Sequence, residues 1–381
     1  MPEDGSGFET TYNVTSLDVE LLKREVGQRF PFYDTRVNIN SVAFFCRIDG
    51  ETLDEKFESL RKSLSERGYI PMIRLEKGEH VIFVIQKPKI KRRSIWINIV
   101  LLIATIFTTT LAGSILWVGI YEPSLVDPVD ALAKSILPFY LWKGFIFFSV
   151  PLLSILGIHE MGHYLISKRH NLETSLPYFI PIPPPFILGT FGALISTREP
   201  IPNRKALLDV GVSGPICGFI VAILVSIIGL FLMQQNPIPV PADAEGGFII
   251  VYPLILQGLS NFFTIPSDII IHPTLFAGWV GFFLTSVNLL PLGQLDGGHV
   301  ARALLKDKHK YASWAVIIMI LILGLFWTGW LFYAFFLIFL IGTQHQPPLN
   351  EITPLDPRRK IIGIIALVIF IICFAPIPII V

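Results

Sequence analysis

The sequence predicts a polytopic α-helical membrane protein of about seven spans, with a membrane-associated β-hairpin or re-entrant loop and a small N-terminal α+β domain facing the cytoplasm. Three observations carry this expectation. Hydrophobic residues make up 52% of the chain and charged ones 15%, against roughly 25% charged in soluble domains. Polarity is also unevenly spread: residues 1–94 carry mixed charge with few long apolar runs, whereas from Ile95 onward long uncharged stretches recur between short polar loops. Finally, the stretch FILGTFGALIST (186–197) is apolar and β-prone, too short to span, and framed by Pro181–Pro185 and Pro200–Pro202. Such backbone is tolerated at membrane depth only where protein covers it.

Two parts follow, a soluble one at 1–94 and a membrane one at 95–381. In the first, VNINSVAFFCRI (37–48) alternates and is rich in β-branched and aromatic residues, which reads as strand. Residues 50–70 place Leu53, Phe57, Leu60 and Leu64 near helical spacing, and short strands are expected at 70–75 and 80–86. No catalytic constellation appears here, so a regulatory or docking role is expected of this part. A net charge of +1 gives no reason to expect a nucleic-acid partner. Three scattered cysteines, Cys46, Cys217 and Cys373, are too few for a disulfide framework. No cleavable signal is expected, because the first long apolar run starts near Ile95 behind a polar, acidic stretch.

Apolar runs at about 95–120, 138–166, 206–233, 274–295, 312–342 and 361–380 are the candidate spans. The fifth is too long for one crossing, and GLFWTGW (324–330) has the glycines and aromatics of a tight turn between two short helices. Positive charge orients the chain. KIKRR (89–93) sets the N-terminus in the cytoplasm, where Lys168–Arg169, Arg198–Lys205 and Arg302–Lys310 then also fall. A single helix over 312–342 would strand DPRRK (356–360) outside, whereas a hairpin returns it, giving seven spans.

The second run ends in SILGIHEMGHYLISKRHN (154–171), which sets His159, Glu160 and His163 where lipid would otherwise demand Leu and Phe. Ionisable groups are costly there and mark function when a partner can be named. On a helix His159 and His163 share a face, so both imidazoles reach one point, and Glu160 reaches a water held there. The HExxH pattern is a zinc-hydrolase signature; the bland reading is a pair of interfacial histidines with a snorkelling Glu. A catalytic zinc takes three protein ligands and keeps one position open. Asp296, in SVNLLPLGQLDGGHVARALL (286–305), sits among apolar residues and glycines with no neighbouring base. In the expected topology its span runs in the same direction as that of His159, so the two sites meet at one depth. Pro291 breaks the helix ahead of it, and Gly297 and Gly298 permit close backbone approach. Without HExxH, Asp296 would read equally as a helix cap at the membrane surface.

These residues resemble a known family. HEMGH in one span, Asn288, Pro291, Leu295, Asp296 and Gly297 in the pattern Asn-x-x-Pro-x-x-x-Leu-Asp-Gly, and a small-residue span opening DVGVSGPICG (209–218) are similar to the site-2 protease family of intramembrane zinc metalloproteases. Residues 175–215 bring the chain nearest to its archaeal members and the plant EGY-type plastid proteases. The resemblance covers about 150–305, within a core of about 138–310, and leaves the soluble part aside. It implies cleavage of a transmembrane or membrane-proximal segment of a substrate protein in the lipid bilayer by a water activated on one Zn2+ ion. It further implies His159, His163 and Asp296 as metal ligands, Glu160 as acid and base, and Asn288 as the active-site polar residue.

Asn288 reads on its own chemistry either as an oxyanion donor or as a brace for the backbone broken before Pro291. His299 reads as a partner of Asp296 or, preferably, as a loop histidine facing cytoplasmic water. His170, His272, His309 and His345 lack ligand spacing and are expected at the surface. Gly214 and Gly218, four apart, let their helix pack closely on the HExxH helix. Residues 245–263 read as an interfacial segment or as a gate, with nothing to choose between them. The 186–197 stretch offers a strand edge to an unwound substrate. Two other classes remain: a non-catalytic membrane protein that keeps this fold, and another membrane zinc hydrolase of the prenyl-protein type, whose third ligand is a later Glu.

Overall fold

The computed structural model describes residues 17–88, 94–122, 125, 127–240, 249–266, 268–342 and 345–380. The KIKRR stretch and residues 241–248 lie outside the described residues. The chain divides into two compact units, one formed by 1–89 with 349–353, the other by 90–348 with 354–381.

The first unit runs α1 (Val19–Gly27), β1 (Phe32–Val37), β2 (Ser41–Cys46), α2 (Leu53–Glu66), β3 (Tyr69–Glu76) and β4 (Glu79–Gln86). The strands form one antiparallel sheet in the order β1-β2-β4-β3. The alternation at 37–48 therefore spans the end of β1, a turn and β2, and is not one strand; sequence alternation survives across a tight turn, which is why the break was invisible. Register places Val42 opposite Val84 and Phe44 opposite Ile82. With period-2 alternation these point to one face, and they are buried with Leu22 and Val26 of α1 and Phe57, Leu60 and Leu64 of α2. Each such side chain contributes about 2 kcal/mol of burial. Asp18 caps α1, its Oδ1 accepting the Leu21 N–H at 3.0 Å. A distant piece of chain completes the unit: the Ile73 N–H donates to the Leu349 carbonyl at 2.8 Å, Asn350 bridges Ile73 in parallel, and Leu349 enters the same core.

The second unit is mostly helical. It opens with α3 (Ile95–Tyr121), α4 (Pro128–Ser135) and α5 (Pro138–Gly144); α5 continues through a π turn at Phe145–Ser149 into α6 (Val150–Arg169). The small strands β5 (Tyr178–Pro181) and β6 (Thr190–Leu194) precede α7 (Arg204–Gln235). Next come β7 (Ile249–Ile250), α8 (Leu254–Ser260), α9 (Pro273–Asn288), α10 (Asp296–Leu305), α11 (His309–Leu323), α12 (Gly329–Phe336), α13 (Pro357–Cys373) and β8 (Ile379–Ile380), which pairs with β7. Among the described residues, three helices are long and apolar enough to cross a membrane: Ile95–Tyr121, Pro138–Arg169 and Arg204–Gln235. The run at 312–342 is interrupted at 324–328, as its glycines suggest, and α11 packs against α12 through Val316, Ile317, Ile320, Trp330 and Ala334. The β-prone stretch forms a hairpin, but 186–197 supplies only one strand; its partner, β5, precedes the stretch and ends at Pro181, the first residue of the proline-rich frame, with Tyr178 opposite Leu194 and Phe179 opposite Ala193.

α7 lies at the centre, packed on α6, α9, α10 and α13. In lipid, close packing of small residues takes over part of the role that water plays for soluble cores. Gly113 of α3 and Gly144 of α5 are pressed together so that a Cβ on Gly144 would sit 2.2 Å from the Ser114 nitrogen. Four expectations about histidines are corrected here. His272, His309 and His345 are buried rather than at the surface, and His299 lies on helix α10 rather than in a loop. His272 packs edge-on to Trp117 and Phe147, and His345 edge-on to His299, contacts between distant parts of the chain that a single run of polarity does not encode.

Candidate active site

α6 carries His159 and His163 one turn apart, both buried, with their Nε2 atoms 3.2 Å from each other. α10 begins at Asp296, whose carboxylate reaches His159 Nε2 at 3.3 Å through Oδ2 and His163 Nε2 at 3.2 Å through Oδ1. Sequence separation is bridged by tight backbone packing. A Cβ on Gly297 would lie 2.0 Å from the Leu289 carbonyl oxygen, so only glycine lets α10 start against the end of α9. The chain between them, 289–295, is non-helical, as Pro291 requires.

The ligand set fits a metal ion on its own chemistry. One donor atom from each of His159, His163 and Asp296 lies within 4.8 Å of the others. Two imidazole nitrogens facing one another across 3.2 Å alongside a carboxylate make a compact, mostly buried donor set, and a shared cation satisfies all three at once. His163 is oriented from behind: its Nδ1 donates to the Val210 carbonyl at 2.8 Å, which leaves Nε2 as the free donor atom. That carbonyl is anchored in turn. The preceding residue, Asp209, accepts from Arg359 Nε at 2.8 Å and Nη2 at 2.6 Å, and bonds His170 Nε2 at 2.9 Å. The ends of α6, α7 and α13 are thereby tied together one residue from the support of His163.

The cluster opens into a cavity of about 230 Å³ lined by His159, Glu160, His163, Ala193, Leu194, Ile195, Asn288, Asp296 and His299 among others. All five residues singled out in the sequence therefore come together. Glu160 is buried beside the donors, and the backbone N–H of Ile195 is turned toward its carboxylate. Asn288 is the last residue of α9 and lines the same space. The close approach expected at Gly214 and Gly218 falls on the ligands themselves. A Cβ at Gly214 would meet His163 Nε2 at 2.1 Å, and one at Gly218 would meet His159 Nδ1 at 3.0 Å. Asp209, Val210, Arg359 and His345 were not singled out; the first two lie inside the quoted small-residue motif, whereas Arg359 and His345 carry no local signal.

Two histidines and a carboxylate, with a further carboxylate beside them, make a donor set of the kind that metal hydrolases use, and α6, which carries three of these four groups, belongs to a helix of membrane-spanning length. Residues 147–326 match the model of Peptidase family M50. The chain is similar to the probable zinc metalloprotease EGY1, chloroplastic, of Arabidopsis thaliana, 27% identical over 264 residues that cover 67% of this chain and 46% of the relative. It is also similar to EGY2, chloroplastic, of the same plant, 28% identical over 231 residues covering 59% and 40%. A third relative is the probable zinc metalloprotease EGY3, chloroplastic, of Oryza sativa subsp. indica, 27% identical over 278 residues covering 65% and 43%. The chain spans less than half the length of these curated relatives. No solved structure matches it.

Proposed function

We propose that the protein is an intramembrane zinc metalloendopeptidase of the site-2 protease type, which hydrolyses peptide bonds in or near transmembrane segments of substrate proteins in the lipid bilayer. The observation that carries this reading is the convergence of His159, His163 and Asp296 on one point with Glu160 in the same buried cavity. His159, His163 and Asp296 would hold one Zn2+. When bound, zinc supplies a polarised water near neutral pH and a Lewis acid for the scissile carbonyl.

The remaining work belongs to side chains and backbone of this chain. A Glu160 oxygen takes the proton of the attacking water as its oxygen bonds the carbonyl carbon, and returns it to the amine nitrogen as the C–N bond breaks. The side-chain amide of Asn288 donates to the oxygen that gains charge. Burial of Glu160 and the histidines keeps bulk water from competing. An unwound substrate exposes backbone groups at a cost of several kcal/mol each in a dry setting. Ala193, Leu194 and Ile195 at the end of β6 line the cavity, which suits pairing of an extended substrate there.

The same reading holds seven spans with the N-terminus in the cytoplasm, and a soluble part at 1–94, which residues 349–353 join, apart from a membrane part at 95–381. Two features support the span count. α11 and α12 are separate, and Arg359 shares Asp209 with His170, so that 356–360 lies at the same end as Lys168 and Arg169. The test is zinc analysis of purified protein together with cleavage of a model transmembrane substrate. About one zinc per chain and cleavage are expected. Glu160→Gln should abolish cleavage with zinc retained, and substantial cleavage by that variant would overturn its role.

A further inference from the structure

The catalytic cavity has one titratable wall residue that the mechanism leaves unused. His299 stands three residues after Asp296 on α10, on the same helix face, and lines the cavity. Its Nδ1 is in close contact with Nε2 of His345, which is buried and reaches the site from a segment far along the chain. His345 Nδ1 lies 2.6 Å from the Gln346 carbonyl oxygen.

These contacts assign the protons. A carbonyl oxygen only accepts, so His345 Nδ1 carries a proton; in the neutral ring Nε2 is then bare and accepts. The donor to it must be His299 Nδ1, which leaves His299 Nε2 bare in turn. Among the described residues no hydrogen bond reaches that nitrogen. α7 also lies close against α10 at the base of this side chain, since a Cβ on Gly211 would lie 2.8 Å from the His299 Cβ. His309 closes the rear, edge-on to His345 at 6.2 Å between ring centroids.

We propose that His299 Nε2 is a fixed hydrogen-bond acceptor for a backbone N–H of the extended substrate, and that His345 is the positioning residue that holds this tautomer. The inference rests on the peptidase reading above and deepens it by naming a point of substrate backbone recognition in the cavity that the end of β6 also lines. A neutral acceptor suits an N–H donor and repels a carbonyl, so it sets the register of the peptide over the metal ligands. The alternative for His299, a donor from Nε2 to Asp296 that orients the ligand, would require the other tautomer and set His299 Nδ1 and His345 Nε2 lone pair to lone pair, or require His345 to present its lone pair to a carbonyl.

The test uses full-length His299→Leu, His345→Leu and His345→Gln proteins with a model transmembrane substrate. Loss of one neutral hydrogen bond corresponds to a KM rise of about tenfold. His299→Leu and His345→Leu should each show it, with kcat and zinc per chain unchanged and the double variant no worse than either. His345→Gln, whose side-chain oxygen still accepts from Nδ1, should restore KM. Ester replacement of backbone amides along the substrate should reveal one position whose loss raises KM in the natural protein and has no effect in His299→Leu. Nitrogen-15 histidine spectra should show the bare Nε2 of His299 in the natural protein and its loss in His345→Leu, a readout independent of cleavage. Should the natural protein cleave nothing, binding of the same peptide to it, weakened in His299→Leu, reads the acceptor directly. Lost zinc at unchanged KM, or spectra with Nε2 protonated, would overturn the proposal.

Discussion

Gly214→Ala isolates the packing on which the metal ligands depend. The added Cβ would lie 2.1 Å from His163 Nε2, 2.5 Å from its Cδ2 and 2.6 Å from its Cε1. Even to reach 3.0 Å, the ring or α7 must retreat by about 0.9 Å. Coordination distances tolerate about 0.2 Å. Retreat of the ring breaks the coordination, and retreat of α7 carries away the Val210 carbonyl that orients the same ring. Disturbing an outer partner of a ligand typically costs 10–100-fold in metal affinity, so displacing the ligand itself should cost at least about 100-fold, or about 2.8 kcal/mol. Helix propensity works the other way, favouring Ala over Gly by about 1 kcal/mol, so a loss cannot come from the local backbone. Gly218→Ala is the internal control. Its Cβ would meet His159 Nδ1 at 3.0 Å and its Cβ at 3.2 Å, which a shift of a few tenths of an ångström relieves. Competition with a chelator of known affinity reads both variants, alongside thermal unfolding to confirm a folded chain. Gly214→Ala with zinc affinity within threefold of the natural protein would refute the argument.

Ile195→Pro removes the backbone N–H that faces Glu160 at the end of the β6 edge; cleavage should fall at least tenfold with zinc retained, and unchanged turnover in the folded variant would end the strand-addition idea. The same idea makes helix-destabilising residues in the substrate span accelerate cleavage. A cysteine at position 356 should be labelled only from the side reached by one at position 168, because Arg359 and His170 share Asp209; labelling from opposite sides would reduce the span count to six. In the first unit, Glu25 accepts from Ser63 Oγ at 2.7 Å and pairs with Arg29 and Arg67, and these contacts, the Ser63 bond first, hold its carboxyl below the usual glutamate value. A depressed folded value means the stabilisation is present above about pH 4.5 and is lost as pH falls through the folded value. Hydrogen exchange of α1 and α2 should therefore accelerate on acidification, and Glu25→Gln should flatten that dependence while costing about 2 kcal/mol at neutral pH.

Local period was enough to determine the helix with two histidines on one face, because i and i+4 are neighbours on any helix regardless of what surrounds it. It was likewise enough for the break in 312–342, where Gly324 and the 324–328 turn interrupt the helix by their own backbone preferences. Asp296 was legible because an unpaired carboxylate among apolar residues and glycines demands a partner. Partners arriving from far along the chain were not legible. Tyr178–Pro181 pairs with β6 although Pro181 argues against strand, since an edge position needs only part of the ladder. Leu349 and Asn350 join the sheet of the first unit across more than 250 residues of chain. His345, Arg359 and Asp209 meet their partners only through the packing of α7 against α6, α10 and α13. Hydropathy reports how apolar a segment is but carries no information on which neighbour lies beside it. The five residues of the site were therefore written in local pattern, and the geometry that makes them one site was decided by the glycine contacts that bring α7 onto the HExxH helix and α10 onto α7 and the end of α9.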